Sequence, residues 1–140
     1  MRLREFMQVP VFACTPTTTI ANAARAMEIN NVGSLVVTDV HERAIGIVTD
    51  RDLALSMAHG AGGATPVEEV MSRHVVTVAA DASLDDAAGL MDCHGVRRLP
   101  VVDGEGRPIG IVSLDDLSGF LVDETITLRG AVRSQNAARA

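Results

Sequence analysis

One short pattern, present twice, carries the side chains best suited to chemistry in this chain. The first copy is Gly46-Ile47-Val48-Thr49-Asp50-Arg51-Asp52, and the second is Gly110-Ile111-Val112-Ser113-Leu114-Asp115-Asp116. Each copy places a glycine, two aliphatic residues, a hydroxyl and then a carboxylate where a strand gives way to a helix. A hydroxyl and free amides at a helix N-terminus suit phosphate, and a carboxylate one turn later suits the two hydroxyls of a ribose. The pattern therefore predicts recognition of a nucleoside phosphate.

The same residues also have a purely structural interpretation. In a capping box, the Thr49 hydroxyl accepts a hydrogen bond from the Asp52 amide, and the Asp52 carboxylate accepts one from the Thr49 amide. Such a box satisfies amides that every helix leaves free at its start. For a single copy this interpretation would be the favoured one. In the binding interpretation, Gly46 and Gly110 allow a ligand to approach the backbone closely.

The pattern recurs because a larger unit is duplicated. Residues 7–53 align with residues 71–117 without an insertion, and the alignment pairs identical residues from Met7 and Met71 onwards. Two copies are too few for a solenoid, which needs at least three repeats. We therefore expect the two units to pack face to face around a pseudo-two-fold axis.

Each repeat is predicted to form a strand, a helix, two strands and a second helix, which gives a mixed α/β (α+β) fold. The first repeat provides an apolar strand at Val9–Ala13, a helix beginning at Ile20, a hairpin of Ser34–Thr38 and Ala44–Val48, and a helix from about Asp50. The equivalent segments of the second repeat begin at Leu84, Leu99 and Pro108, and its final helix carries Leu117 and Leu121.

The predicted domain boundaries follow from this arrangement. Residues 1–64 hold a lead-in, the first repeat and a Gly-rich linker, residues 65–122 hold the second repeat, and residues 123–140 form a tail. Thr65-Pro66-Val67-Glu68 predicts a short helix with a capping box at the end of the linker. The tail has no long apolar face, so it is either mobile or a helix that needs a partner.

Composition excludes several classes of protein. The net charge of −6 and the aromatic content of 2% argue against a nucleic-acid binder, which needs cationic surfaces and stacking platforms. No apolar run reaches the length of about 18 residues that a membrane span needs, and the first residues do not resemble a signal peptide. We expect a cytoplasmic protein that makes no membrane contact.

Residue sets typical of catalysis or metal binding are not found at recurring positions. Cys14 and Cys93 are not equivalent in the two repeats, so we expect ordinary reduced thiols. The Cys93-His94 pair lacks the spacing of a metal site, and no Ser-His-Asp or Cys-His set is evident. The chain is therefore expected to be non-catalytic, with no metal and no catalytic cofactor.

The duplicated unit resembles the cystathionine beta-synthase (CBS) domain family. The resemblance rests on GIVTDRD, GIVSLDD and HGVRRLPVVDGEGRPIGIVS and covers about residues 7–122. It implies a tandem pair of β-α-β-β-α repeats, packed through their sheets, with two clefts that bind AMP, ADP, ATP or S-adenosylmethionine as a regulatory ligand.

The resemblance also assigns roles to individual residues. It implies that Thr49 and Ser113 lie near phosphate or ribose, that Asp52 and Asp116 bind the ribose diol, and that Ile47 and Ile111 lie against the sugar or base. Arg98 matches a position at which family members often carry a basic residue facing phosphate. Its equivalent in the first repeat is Ser34, so the two clefts are not expected to be equal.

Partners are expected to include a second copy of the chain and a regulated protein acting in trans. The predicted homodimer rests on two apolar stripes, Leu53 with Ala54 and Met57, and Leu114 with Leu117 and Leu121. The main alternative to a ligand sensor is a ligand-free structural or adaptor dimer. An enzyme that acts on nucleotides is a third alternative.

Overall fold

A computed structural model describes residues 2–73 and 75–118, which form two compact units. The first unit is Val11–Val75, and the second joins the described residues of Met1–Pro10 to those of Val76–Ala140. The N-terminal segment therefore packs with the second repeat, although it precedes the first. The repeat boundaries 1–64 and 65–122 stay a prediction, and the tail, residues 123–140, lies outside the described residues.

The first unit has the predicted order of elements. These are β1 (Ala13–Cys14), α1 (Ile20–Asn30), β2 (Ser34–Thr38), β3 (Ala44–Thr49) and α2 (Asp50–Ala58). Strand β2 is central in a three-stranded sheet, parallel to β1 and antiparallel to β3. A 3-10 turn at Val67–Glu69 follows later in the chain.

The second unit repeats this order and this topology. It consists of β4 (Val78–Ala79), α3 (Leu84–His94), β5 (Arg98–Val102), β6 (Pro108–Ser113) and α4, which is described over Leu114–Ser118. Arg98 lies opposite Ser113 across the second sheet, as Ser34 lies opposite Thr49 across the first. The mixed α/β fold with two β-α-β-β-α repeats is thereby confirmed.

Each unit has its own apolar core between its helices and one face of its sheet. In the first unit, Ile20 and Met27 of α1 pack with Val37, Val48 and Leu53. The equivalent core residues of the second unit are Leu84, Met91, Val101, Val112 and Leu117. The strands contribute alternate residues to these cores because successive side chains of a strand point to opposite faces.

The apolar stripes predicted on the second helix of each repeat are confirmed for Ala54 and Met57, which are exposed, and wrong for the three described leucines. Leu53, Leu114 and Leu117 are buried in the cores of their own units, because the helices turn these leucines toward the sheets. Leu55 and Met57 are the large apolar residues that α2 exposes, at 47% and 65%. Leu121 lies outside the described residues.

Asp39 shapes the turn of the first hairpin. Its Oδ1 accepts hydrogen bonds from the amides of His41 and Arg43 at 2.8 and 3.0 Å. The backbone amide of Arg43 is the main reason why the pKa of Asp39 is below its ordinary value. Asp103 receives the two equivalent bonds in the second hairpin, and its pKa is lowered in the same way by the amide of Arg107.

Each aligned repeat begins with a short segment that pairs with the last strand of the other repeat. Gln8 forms an antiparallel bridge with Ile111 of β6, and Ser72 forms the equivalent bridge with Ile47 of β3. Each segment thus adds a short third row of backbone hydrogen bonds at the edge of a three-stranded sheet. These two segments, residues 7–8 and 71–72, are called the lead-in segments below.

Two local predictions are wrong, each for a reason visible in the backbone. The strand expected at Val9–Ala13 is reduced to Ala13–Cys14, since Pro10 has no N–H to donate and Val9 is 61% exposed. The capping box expected at Thr65 does not form at the 3-10 turn. The amides of Val67 and Glu68 instead donate to backbone carbonyls of Thr18 and Pro16, which leaves the box no amide to bind.

Candidate functional site

The candidate site in each unit is the junction at which the last strand becomes a helix. We call Gly46–Asp52 the first junction and Gly110–Asp116 the second junction. In the first, Val48 points into the core, so Ile47 and Thr49 point to the opposite face of the sheet. Both are partly buried. The equivalents Ile111 and Ser113 are placed alike on the second sheet, so the fold brings the predicted aliphatic and hydroxyl side chains onto one face.

The capping box predicted as the structural interpretation forms at both junctions. Oγ1 of Thr49 accepts from the Asp52 amide at 3.1 Å, and Oδ2 of Asp52 accepts from the Thr49 amide at 2.9 Å. The Ser113–Asp116 pair has the same two bonds at 3.1 and 2.9 Å. Each hydroxyl and carboxylate is therefore fixed beside the start of a helix, where the helix dipole favours negative charge.

A third capping box shows that this geometry alone does not identify a binding site. Ser83 and Asp86 exchange the same two bonds at the start of α3, at 3.0 and 3.2 Å. That box follows no glycine-containing strand and has no counterpart in the first repeat, where Thr19 caps α1 and Asn22 stands in the place of Asp86. Asp86 therefore serves as a control for Asp52 and Asp116, because it caps a helix in the same way outside the two junctions.

The two junction carboxylates differ in what else they bind. Oδ1 of Asp52 accepts no hydrogen bond from any residue in the described parts of the chain. Asp116 in contrast accepts from Nε2 of Gln8, at 3.1 Å on Oδ1 and 3.3 Å on Oδ2. The sequence does not identify Gln8 as a site residue; its only indication is that the repeat alignment pairs Gln8 with a different residue, Ser72. Asp52 therefore has one oxygen without a donor among the described residues, whereas both oxygens of Asp116 have one.

Arg98 lies next to Ser113 on the same face of the second sheet, because directly opposite residues of an antiparallel pair share a face. It is partly buried. Within residues 2–73 and 75–118, its guanidinium makes no ion pair or hydrogen bond, whereas neighbouring Arg97 approaches Asp115 at 3.9 Å. An arginine without an internal partner is available to an anion. The first unit has only the hydroxyl of Ser34 at this position.

The junction glycines are explained by close packing within the chain. A Cβ on Gly46 would lie 2.6 Å from Sδ of Met71 and 3.0 Å from the carbonyl oxygen of Ser72, and one on Gly110 would lie 2.6 Å from Sδ of Met7. The lead-in segments therefore need a residue without a side chain at these positions. The expectation that Gly46 and Gly110 admit a ligand to the backbone stays a prediction.

Other kinds of site find little support in the described residues. No group of three or more His, Cys, Asp or Glu side chains there could hold a metal ion. Cys14 is partly buried, and this burial raises the pKa of its thiol to about 11, so it is protonated at neutral pH. No helix found among those residues combines the length and apolar character needed to cross a membrane.

Comparison with known proteins assigns the family. The CBS domain model matches residues 3–59 and again residues 67–123, which together make up most of the chain. The chain belongs to the CBS domain family. Among curated proteins, the CBS domain-containing protein YhcV of Bacillus subtilis (strain 168) is 42% identical over 119 residues, which are 83% of this chain and 82% of YhcV.

Solved CBS domain structures have the same fold and include complexes with adenosine-containing molecules. The CBS domain protein PAE2072 of Pyrobaculum aerophilum, complexed with AMP, has a TM-score of 0.81 at 25% identity, over 90% of this chain and 99% of that one. The CBS domain pair of protein MJ0100, in complex with 5'-methylthioadenosine and S-adenosyl-L-methionine, has a TM-score of 0.79 at 27% identity, over 89% and 98%.

Proposed function

We propose that this CBS protein is a non-catalytic regulatory module that binds an adenosine-containing ligand, such as AMP, ADP, ATP or S-adenosylmethionine, at its two junctions. In this proposal, Asp52 and Asp116 bind the ribose diol, Thr49 and Ser113 lie near phosphate or ribose, and Ile47 and Ile111 contact the sugar or base. Arg98 contributes a phosphate contact to the second junction only.

The observation that carries the proposal is the open Oδ1 of Asp52. Its partner oxygen Oδ2 is held by the Thr49 amide, so the carboxylate is fixed while Oδ1 has no donor in the part of the chain that the structure describes. A preorganised carboxylate can accept from two neighbouring hydroxyls without first losing rotational freedom. The partly buried Ile47, on the same sheet face as Thr49, offers an adjoining apolar surface for a sugar or base. The known AMP and S-adenosylmethionine complexes of other CBS domain proteins favour the same ligand class.

Titration calorimetry and thermal melting with AMP, ADP, ATP and S-adenosylmethionine test the proposal. A ligand that binds only the folded state stabilises it by about 2.7 kcal/mol at a hundredfold excess over Kd, so a clear rise in melting temperature is expected. Mass spectrometry of small molecules released from natively purified protein would name the ligand. Neither heat nor stabilisation at millimolar ligand would contradict the proposal. Turnover of ATP or ADP would contradict its non-catalytic part.

A second candidate is an adaptor that acts through protein contacts, and the exposed Leu55 and Met57 favour it. We further propose that the protein is a cytoplasmic homodimer that contacts itself through α2 and acts on a separate regulated protein. Sedimentation equilibrium should then show twice the mass of 14.7 kDa at micromolar concentration, and Met57→Glu should shift the protein to monomer. Val40→Glu is the matched control, because Val40 is 92% exposed but lies in a hairpin turn. A monomeric wild type would contradict the dimer.

A further inference from the structure

Gln8 donates a side-chain hydrogen bond to Asp116, the carboxylate of the second junction, and its backbone is held in place by Ile111. Its amide donates to the carbonyl oxygen of Ile111 at 2.8 Å, and its own carbonyl oxygen accepts from the Ile111 amide at 3.2 Å. Its side chain then reaches both oxygens of Asp116, at 3.1 and 3.3 Å. With the Ser113 amide also on Oδ2, both oxygens of Asp116 already accept hydrogen bonds.

The first junction has the same backbone arrangement without this side-chain contact. Ser72 and Ile47 exchange the same pair of backbone bonds, at 3.0 and 3.3 Å. The serine side chain makes no hydrogen bond to Asp52 in the described structure, and Oδ1 of Asp52 has no donor there. The contacts of the two carboxylates thus differ because of one side chain, at one position of a shared register.

We propose that Gln8 is an affinity-determining residue that competes with a ligand's ribose for Asp116, so that a ligand without phosphate, such as adenosine, fills the two sites in a fixed order, Asp52 first. The inference rests on the proposed function. A ribose diol that binds Asp116 competes with the hydrogen bond that Gln8 already donates to this charged group, whereas Oδ1 of Asp52 has no donor among the described residues. Because such bonds are among the stronger ones in proteins, we expect the competition to weaken ribose binding about tenfold, which corresponds to about 1.4 kcal/mol.

Competition by Gln8 is distinguishable from phosphate binding by Arg98. Gln8 acts on the carboxylate, so its removal should tighten adenosine and AMP by the same factor. Arg98 acts on the phosphate, so its removal should weaken AMP binding and leave adenosine binding unchanged. The ratio of AMP affinity to adenosine affinity should therefore fall. Adenine, which has no ribose, should be insensitive to Gln8.

The test exchanges the two lead-in residues, each in a background with a single site. In Asp52→Asn protein, which keeps the second junction, Gln8→Ser should tighten adenosine binding about tenfold by calorimetry. In Asp116→Asn protein, which keeps the first junction, Ser72→Gln should weaken adenosine binding by a similar factor. Melting temperatures without ligand verify that each variant folds. In wild type, adenosine should also shift the NMR signal of the Gln8 side-chain amide, and adenine should not.

The outcomes separate this inference from the proposed function. If wild type and all variants fail to bind adenosine, AMP and S-adenosylmethionine, the proposed function fails and the inference fails with it. If adenosine binds but Gln8→Ser leaves its affinity unchanged or lowers it, only the role of Gln8 is overturned. Equal tightening of adenine and adenosine would overturn it too, since the effect would not then depend on ribose.

Discussion

Arg98 and Ser113 lie directly opposite each other on β5 and β6, whereas the equivalent pair on β2 and β3 is Ser34 and Thr49. A guanidinium binds phosphate strongly and does not distinguish riboses, so the second junction should prefer phosphorylated ligands. We expect Arg98→Ser to lower the ratio of AMP affinity to adenosine affinity about tenfold at the second junction, measured in Asp52→Asn protein. Ser34→Arg should raise that ratio at the first junction. An unchanged ratio in both variants would show that Arg98 does not contact phosphate.

Three capping carboxylates allow the binding role to be separated from the capping role. Asp52→Asn, Asp116→Asn and Asp86→Asn each remove a charge near a helix start, which costs about 0.3–1 kcal/mol, while the amide oxygen can still cap. Without ligand, the three variants should therefore melt slightly and similarly below wild type. With AMP, only Asp52→Asn and Asp116→Asn should lose part of the ligand-induced rise. The same loss in Asp86→Asn would show that capping alone explains the effect.

The two hairpin turns need a left-handed residue at the same position, and only one has glycine there. Glu42 has φ 64° and Gly106 has φ 82°. This conformation destabilises a residue with a side chain by about 1–2 kcal/mol. Glycine avoids that strain but loses more backbone entropy on folding, which offsets part of its advantage. Glu42→Gly should therefore raise the free energy of unfolding by about 0.5–1 kcal/mol, and Gly106→Glu should lower it by about as much.

Urea denaturation measures this exchange. Gly104→Ala is the control, since it has no positive φ and a Cβ there would meet nothing within 4 Å. That variant should change stability little. Destabilisation by Glu42→Gly would mean that the Glu42 side chain contributes more than its backbone strain costs.

Alkaline stability should report on Cys14. The chain has no Lys and no Tyr, so few groups other than the thiols titrate between pH 9 and 11. The folded-state pKa of Cys14 is raised from 9.0 to about 11. The unfolded chain therefore loses this proton first, and stability should fall as pH rises from about 9 to about 11.

Cys14→Val tests this, because valine is the residue at the equivalent position, Val78. The variant should fold and lose most of the alkaline decline seen by thermal melting. Cys93→Ser is the control, because Cys93 is exposed. This variant should show the same alkaline loss of stability as wild type. A thiol reagent at neutral pH should modify Cys93 well before Cys14. An alkaline decline that is identical in Cys14→Val would show that the buried thiol is not its cause.

Local signals were sufficient to predict most of the fold. The spacing of Ile20 and Met27 identified α1, and Thr49 with Asp52 identified both the cap of α2 and a candidate site. These signals depend on residues within one or two helical turns. Predictions failed where a backbone group distant in sequence formed the hydrogen bond instead. At Thr65, the amides that a cap would bind donate to carbonyl oxygens of the β1–α1 loop.

The contact between Gln8 and Asp116 could not be predicted for the same reason. The two residues are 108 positions apart in the sequence, and no periodicity connects them. The duplicated pattern predicted that the two sites differ, but only at Arg98 and Ser34. The second difference depends on which repeat each lead-in segment joins, and that is a property of the folded topology.

The placement of the N-terminal segment has a consequence for the order in which the protein forms on the ribosome. Val11–Val75 is one continuous stretch, so every pairing of the first unit can close as soon as that stretch emerges. Gln8 leaves the ribosome earlier than any residue of the first unit, yet its partners on β6 and α4 are synthesised last among the described elements. Residues 7–8 must therefore wait without these partners until β6 and the start of α4 have been synthesised.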